Sequence, residues 1–289
     1  MKITIKDLTK IIVRFIRTKS KYRISFDYYS MRTDVDNFDS QMCVSQIGYY
    51  GHHVEKALKH QKRGKRGREK ATRLQNLLDT YITRNDKDPV IIDWASRILI
   101  EFAKTNHKIY VTKLVGEPII QNDVIDFIKT RTTVRFWKNK KISKEILEDI
   151  LKTALTSSIS CNRQSVKFLI KENTIDKNKG IGDSNNPSML SKAPIVVYVS
   201  ADSRFYSEKY GNALDVGGVC ATLLLAAKAY GLSGCWIYTA ETIDQKKVGD
   251  ELGLERHDYI YSRITLGYPY DDQEKPPRSF VNKINYFEG

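Results

Sequence analysis

Residues 213–230 (ALDVGGVCATLLLAAKAY) form one long apolar segment, and it narrows what this chain can fold into. The run reads as a helix, and Gly231 stands where a C′ glycine would end it. The small residues Gly217, Gly218, Ala221, Ala226 and Ala227 allow a neighbouring helix or a ligand to approach closely. Strand-like runs lie on both sides of it. Pro194–Ser200 (PIVVYVS) is continuous and β-branched, as a buried strand would be. Val166–Ile170, Gly234–Tyr238 and Tyr259–Leu266 are further strands by the same reading. Asn122–Lys129 reads as a short helix. Ser143 caps another, whose apolar face is Ile146, Leu147, Ile150, Leu151 and Ala154. From about residue 120, then, helices alternate with short strands, which points to a mixed α/β architecture.

The first part of the chain has a different character. Of 48 Lys+Arg and 34 Asp+Glu, residues 1–120 hold 24 and 13, a net of +11, whereas residues 121–289 hold 24 and 21, a net of +3. That step predicts two units, a basic and mainly helical extension over 1–118 and a second domain over 119–289. Residues 6–17 read as a basic amphipathic helix with Leu8, Ile11, Ile12, Phe15 and Ile16 on one side. Such a stripe usually packs on its own protein, and weak association with a membrane surface is the alternative. Lys56 to Arg73 carries nine cations and one anion, Glu69, and Gly64 and Gly67 give it the look of a solvated loop between helices. It has no aromatic residue to stack on bases and no zinc-finger or RNA-binding signature, so nucleic acid is not the expected partner. His52, His53, Glu55 and Lys56 lack the spacing of a zincin motif. Asp88-Pro89 reads as the N-cap and first position of an apolar helix extending to Ala103, with Trp94, Ile98 and Phe102 on one side.

Four cysteines (Cys43, Cys161, Cys220 and Cys235) without a CxxC pair point to a reducing compartment and to no structural metal. No uninterrupted apolar run is long enough to span a bilayer, and Lys10 and Arg14 bracket only three apolar residues, so no secretory leader is read and a cytoplasmic location is expected.

Three constellations carry chemistry. In an extended stretch Arg131, Thr133 and Arg135 point the same way, and two guanidiniums beside a hydroxyl make a phosphate grip, with Thr132 between them. Ser157 to Gln164 (SSISCNRQ) is a small, polar loop in which the amides of Asn162 and Gln164 carry donors and acceptors suited to a heterocycle edge. Arg278 lies in a late Pro-containing tail. Taken singly, each is an ordinary surface feature.

In this order they resemble the nitroreductase family of FMN-dependent oxidoreductases, over residues 120 to 280. The family's RxSxRxF stretch corresponds to Arg131, Thr133, Arg135 and Trp137, unless Phe136 takes the last place. Its NxQPW loop corresponds to Asn162 and Gln164, with Ser165 and Val166 where Pro and Trp are usual; Ser158 and Ile159 replace an upstream Pro-Ser pair. Ala193-Pro194, Leu223–Ala227, Gly231 to Trp236, Leu266 to Pro269 and Arg278 follow in family order. The resemblance implies an α+β fold in three layers, with a central, mainly antiparallel sheet flanked by helices. It implies a homodimer with FMN at the subunit interface and NAD(P)H as electron donor. Arg131, Thr133, Arg135 and Arg278 would hold the phosphate. Ser158, Ile159, Ser160, Asn162 and Gln164 would face the flavin from the other subunit, and the backbone of Trp236, Ile237 and Tyr238 would border the ring. The acceptor would be a small molecule, nitroaromatic or quinone in related enzymes. No general acid or base is nominated, and Cys161, Cys235 and Tyr238 are read as packing residues. Two other readings stay open: a non-enzymatic polyanion- or membrane-binding protein on a flavin-fold relic, and a flavin-dependent dehydrogenase of a biosynthetic intermediate.

Overall fold

The structure is a computed structural model that describes residues 38–59, 65–104, 122–173, 187–240 and 242–270. The amphipathic stretch 6–17 and Arg278 lie outside the described residues. In chain order the elements are α1 (Ser40–Lys59), α2 (Lys65–Ile82), α3 (Pro89–Ala103), α4 (Asn122–Lys129), α5 (Lys144–Leu155), β1 (Val166–Glu172), α6 (Pro187–Lys192), β2 (Ile195–Asp202), α7 (Gly211–Ala229), β3 (Ser233–Tyr238), α8 (Gln245–Leu252) and β4 (Asp258–Gly267).

Helices α1 to α3 pack on one another through residues at helical spacing. Cys43, Ile47, Val54 and Leu58 of α1 meet Leu74, Leu77, Leu78 and Tyr81 of α2 and Ile91, Ala95 and Ile98 of α3. A Cβ on Gly51 would lie 2.5 Å from the Trp94 ring, so α1 and α3 approach closely there because Gly51 has no side chain. Asp88 caps α3 as expected, its carboxylate accepting the Val90 N–H at 2.8 Å with Pro89 in the first turn. The solvated loop expected over Lys56 to Arg73 is corrected for its described part: Lys56–Lys59 end α1, and α2 begins at Lys65 and contains Gly67, while 60–64 lie outside the described residues. A helical glycine costs about 1 kcal/mol. Burial of a large apolar side chain contributes about 1.5–3 kcal/mol, and α2 buries Leu74, Leu77, Leu78 and Tyr81, so packing wins.

The four strands form an antiparallel sheet in the order β1-β2-β4-β3. Every residue of β2, the central β-branched run, is buried. One face is covered by α5 and α7, with Ile150, Leu151 and Ala154 meeting Val197, Val199, Leu223 and Ile264. The other face packs Val196, Tyr198 and Ile260 against Trp137, Leu190 of α6 and Val248 of α8. The result is the three-layer α+β arrangement. Ser143 caps α5, accepting the Ile146 N–H at 3.3 Å. Helix α7 ends in a paired C-terminal turn: Leu232 N–H donates to Ala227 O and Gly231 N–H to Lys228 O, with Gly231 at φ 68°. Among the described residues only α7 is long and apolar enough to cross a bilayer, and half of it is buried in the protein.

The helical unit and the sheet domain are joined just after β2. Phe205 and Tyr206 belong to the core of α1–α3. Arg204, 5% exposed, donates to Asp202 at 2.5–3.0 Å and to Asp39 Oδ2 at 2.5 Å, while Asp39 also accepts the Met42 N–H at the start of α1.

Candidate functional site

The arginine stretch follows α4 and runs beside β3, the edge strand. Val134 N–H donates to Gly234 O at 3.2 Å, the Trp137 indole Nε1 donates to Ser233 O at 2.9 Å, and Trp137 bridges Pro269. Val134 and Trp137 are buried anchors, whereas Phe136 is exposed. Arg135 is exposed, and Arg131, Thr132 and Thr133 are half-buried. Arg131 Nη1 donates to Thr132 O at 2.7 Å. Both arginines act on Cys235: burial pushes its thiol up, and Arg135 and Arg131 partly offset that. The Val134 and Trp137 bonds therefore set the arginine stretch beside Ser233 and Gly234, at the start of the strand that carries Trp236, Ile237 and Tyr238.

Ile237 packs toward the α8 face of the sheet. Trp236 and Tyr238 are 42% and 60% exposed, so the reading of Tyr238 as a core aromatic is corrected. An edge strand whose alternate residues leave the core face presents them outward. The Trp236 indole is fixed by a 2.9 Å bond to Ser262 Oγ. Helix α7 passes closely here. A Cβ on Gly217 would contact the Trp236 ring at 3.8 Å, and one on Gly218 would lie 3.0 Å from Ser157 Oγ and 3.4 Å from Ser158 O. The two glycines thus stand between Trp236 and the Ser157–Gln164 loop.

That loop is held in an unfavourable backbone shape. Cys161, Asn162 and Gln164 have φ of 51°, 53° and 52°. A non-glycine residue in the left-handed region costs about 1–2 kcal/mol, so neighbouring groups must impose it. Asp215 of α7, 3% exposed, accepts the Ser160 N–H at 3.0 Å and the Ser160 hydroxyl at 2.8 Å. Tyr206 donates to the other Asp215 oxygen at 2.5 Å, which leaves its own oxygen to accept from Ser165 at 2.5 Å. Burial and the Asp215 carboxylate push the Tyr206 phenol far above its ordinary range, so it is a permanent donor. Arg163, 4% exposed, pairs with Glu208 at 3.1 Å and lies over the rings of Tyr49 and Tyr206. From the helical unit, Gly48 meets the Asn162 carbonyl so closely that a Cβ would lie 2.1 Å from its oxygen.

Asn162 is thus seated against α1, on the helical unit, while the arginines sit along β3; Arg278 lies outside the described residues. Ile159 packs on the α5–α7 core. Asp215, Tyr206 and Gly48 were not singled out by sequence reasoning. Asp215 had a visible signal, a lone carboxylate inside an otherwise apolar helix; Tyr206 and Gly48 had none. Among the described residues no His/Cys/Asp/Glu group could hold a metal.

His53 lies next to this joint, edge-on to Tyr49 with ring centroids 4.6 Å apart. Burial, then Lys70, His52, Lys56 and Arg163, push it down to about 4 from the ordinary 6.5. Between those values the unfolded chain takes up a proton that the folded chain refuses, so stability falls as pH drops from about 6.5 to about 4. Thermal melts across that range should fall less steeply for His53→Gln than for the parent; parallel slopes would remove His53 as the cause.

The family model described as "Putative TM nitroreductase" matches residues 123–288, more than half of the chain. The chain belongs to this nitroreductase family. It is 26% identical over 155 residues to a protein of Archaeoglobus fulgidus named "Putative NADH dehydrogenase/NAD(P)H nitroreductase", covering 53% of this chain and 88% of that one. Solved structures share the fold. One of the same name from Parabacteroides distasonis has TM-score 0.52 at 22% identity, covering 58% of this chain and all of that one. A nitroreductase of Desulfovibrio desulfuricans, titled as a complex with FMN, has TM-score 0.51 at 19% identity, covering 58% and 99%.

Proposed function

We propose that this chain is an FMN-dependent oxidoreductase that moves hydride from NAD(P)H to a small-molecule acceptor, as a cytoplasmic homodimer. The observation that carries the reading is the Arg131–Arg135 stretch tied through Val134 and Trp137 to Gly234 and Ser233 of an edge strand whose outward residues, Trp236 and Tyr238, are solvent-facing aromatics. The residues present fit FMN. Guanidinium donors on an exposed Arg135 and a half-buried Arg131 suit a phosphate, and the Gly217–Gly218 pair lets α7 approach both the Trp236 ring and the Ser157–Ser158 end of the amide-bearing loop. Arg131, Thr133 and Arg135 would hold the phosphate, with Arg278 joining them; Asn162, Gln164 and the Ser158–Ser160 backbone would face the ring. FMN, when bound, supplies reversible hydride acceptance at N5.

The protein's share is binding and electrostatics. N–H donors and cations at the site favour the extra negative charge of a reduced ligand before it forms. No general acid or base is assigned: among the described residues Cys235 is buried with a raised pKa, and Cys161 is held in the strained loop. The dimer reading is supported by apolar side chains left outward among the described residues: Val124, Ile125 and Ile128 on α4, Phe136, and Leu214 at 72% exposure on α7. A second copy would cover them.

The test is reconstitution with FMN, desalting, and anaerobic titration with NADH and NADPH. Retained flavin bleached by either nicotinamide is the expected result. Retained flavin that neither bleaches would instead favour a dehydrogenase of another substrate.

A further inference from the structure

We propose that the N-terminal helical unit is a working part of the flavin site, bracing the Ser157–Gln164 loop through Gly48 and through Asp215, the positioning residue that fixes the aim of Asn162 and Gln164. This deepens the FMN reading and rests on it. The loop holds three left-handed residues and no glycine, so its shape is imposed from outside.

The braces come from two directions. Asp215 takes both the N–H and the hydroxyl of Ser160 and is itself clamped by the Tyr206 hydroxyl. Tyr206 is a core residue of α1–α3, packed so tightly that a Cβ on Gly211 would lie 2.6 Å from its ring. From the other side, α1 seats the Asn162 carbonyl against Gly48, where any side chain would collide with the loop backbone. Arg163, the residue between the two amides, is buried on Tyr49 of α1 and on Tyr206. Ser165 is completely buried and donates to Tyr206, and Val166 enters the sheet core. The loop backbone that carries the two amides is thus braced from both the sheet domain and the helical unit.

The experiment compares full-length parent, Gly48→Ala and Asp215→Asn. One readout is peptide-resolved alkylation by iodoacetamide. Cys161 is half-buried in the loop, and Cys43, Cys220 and Cys235 are buried elsewhere, so they report global unfolding. The other readout is FMN affinity with the visible band of the bound flavin. Both variants should alkylate Cys161 at least about tenfold faster while the other three cysteines stay protected. Both should bind FMN about tenfold more weakly, with a shifted band. Parent-like Cys161 labelling in both variants would overturn the brace. Faster Cys161 labelling with unchanged FMN affinity and band would overturn the positioning role. If all four cysteines of one variant react together, that variant has unfolded and the other decides. A parent that binds no FMN overturns the flavin reading, a failure distinguishable because Cys161 still reports whether the brace exists.

Discussion

Replacing Arg131 and Arg135 together by alanine should abolish retention of FMN while leaving the fold intact. Each charge-assisted hydrogen bond to a phosphate contributes about 1.5–3 kcal/mol, so loss of both weakens binding by roughly a hundredfold to ten-thousandfold. Neither side chain is part of the core: Arg135 is exposed, Arg131 is half-buried, and Val134 and Trp137 anchor the stretch without them. Lysine at both positions should recover only part of the affinity, because a point charge cannot reproduce the planar two-toothed grip. Fluorescence titration of FMN, beside a thermal melt, measures both halves of this. Affinity unchanged in the double alanine variant would place the phosphate elsewhere.

The largest stability effect is expected at Gly234→Ala. A Cβ there would lie 1.9 Å from Thr265 O and 3.0 Å from Thr265 C, backbone atoms of the paired strand that cannot rotate aside. Strands β3 and β4 would have to separate, and the Gly234 carbonyl would draw away from the Val134 N–H that fixes the arginine stretch. Overpacking of this kind costs about 3 kcal/mol or more, and a fall in Tm of about 6–12 °C follows for a unit of this size. Gly249→Ala is the matched control. It is helical, its Cβ would meet only Leu254 at 3.7 Å, and it should be neutral or slightly stabilising. Equal melting temperatures for the two variants would contradict the close strand contact.

Much of the sheet domain could be read in the sequence because its signals are local. The β-branched run became β2, the apolar run became α7 with its Gly231 terminus, and Ser143 and Asp88 cap the helices they precede. The elements that went unread lack such signals. Helix α6 has six residues, too few to show a period, and α8 has only Val248 and Leu252 as large apolar residues and is set by its Asp244 cap. Gly67 was misread because glycine signals a break only where no packing opposes it.

The candidate site was legible in its outward chemistry and not in its support. Two arginines and two amides could be picked out by type and order. What positions them is long-range: Asp215 lies 55 residues from Ser160 and Tyr206 lies 41 from Ser165, and Gly48 touches Asn162 from another unit. No spacing rule relates residues that only tertiary structure brings together. The substitutions at Ser165 and Val166 look like erosion of a motif when read alone, and become a hydroxyl in a buried network and a core valine once the fold is in hand.

The most direct test of the central claim is the visible absorption spectrum of the purified protein after incubation with FMN and desalting, followed by anaerobic addition of NADH or NADPH. A flavin spectrum near one per chain, bleached by a nicotinamide, is the predicted result. A colourless protein that cannot be reconstituted would contradict it, and would leave the arginine pair beside β3 without the ligand assigned to it.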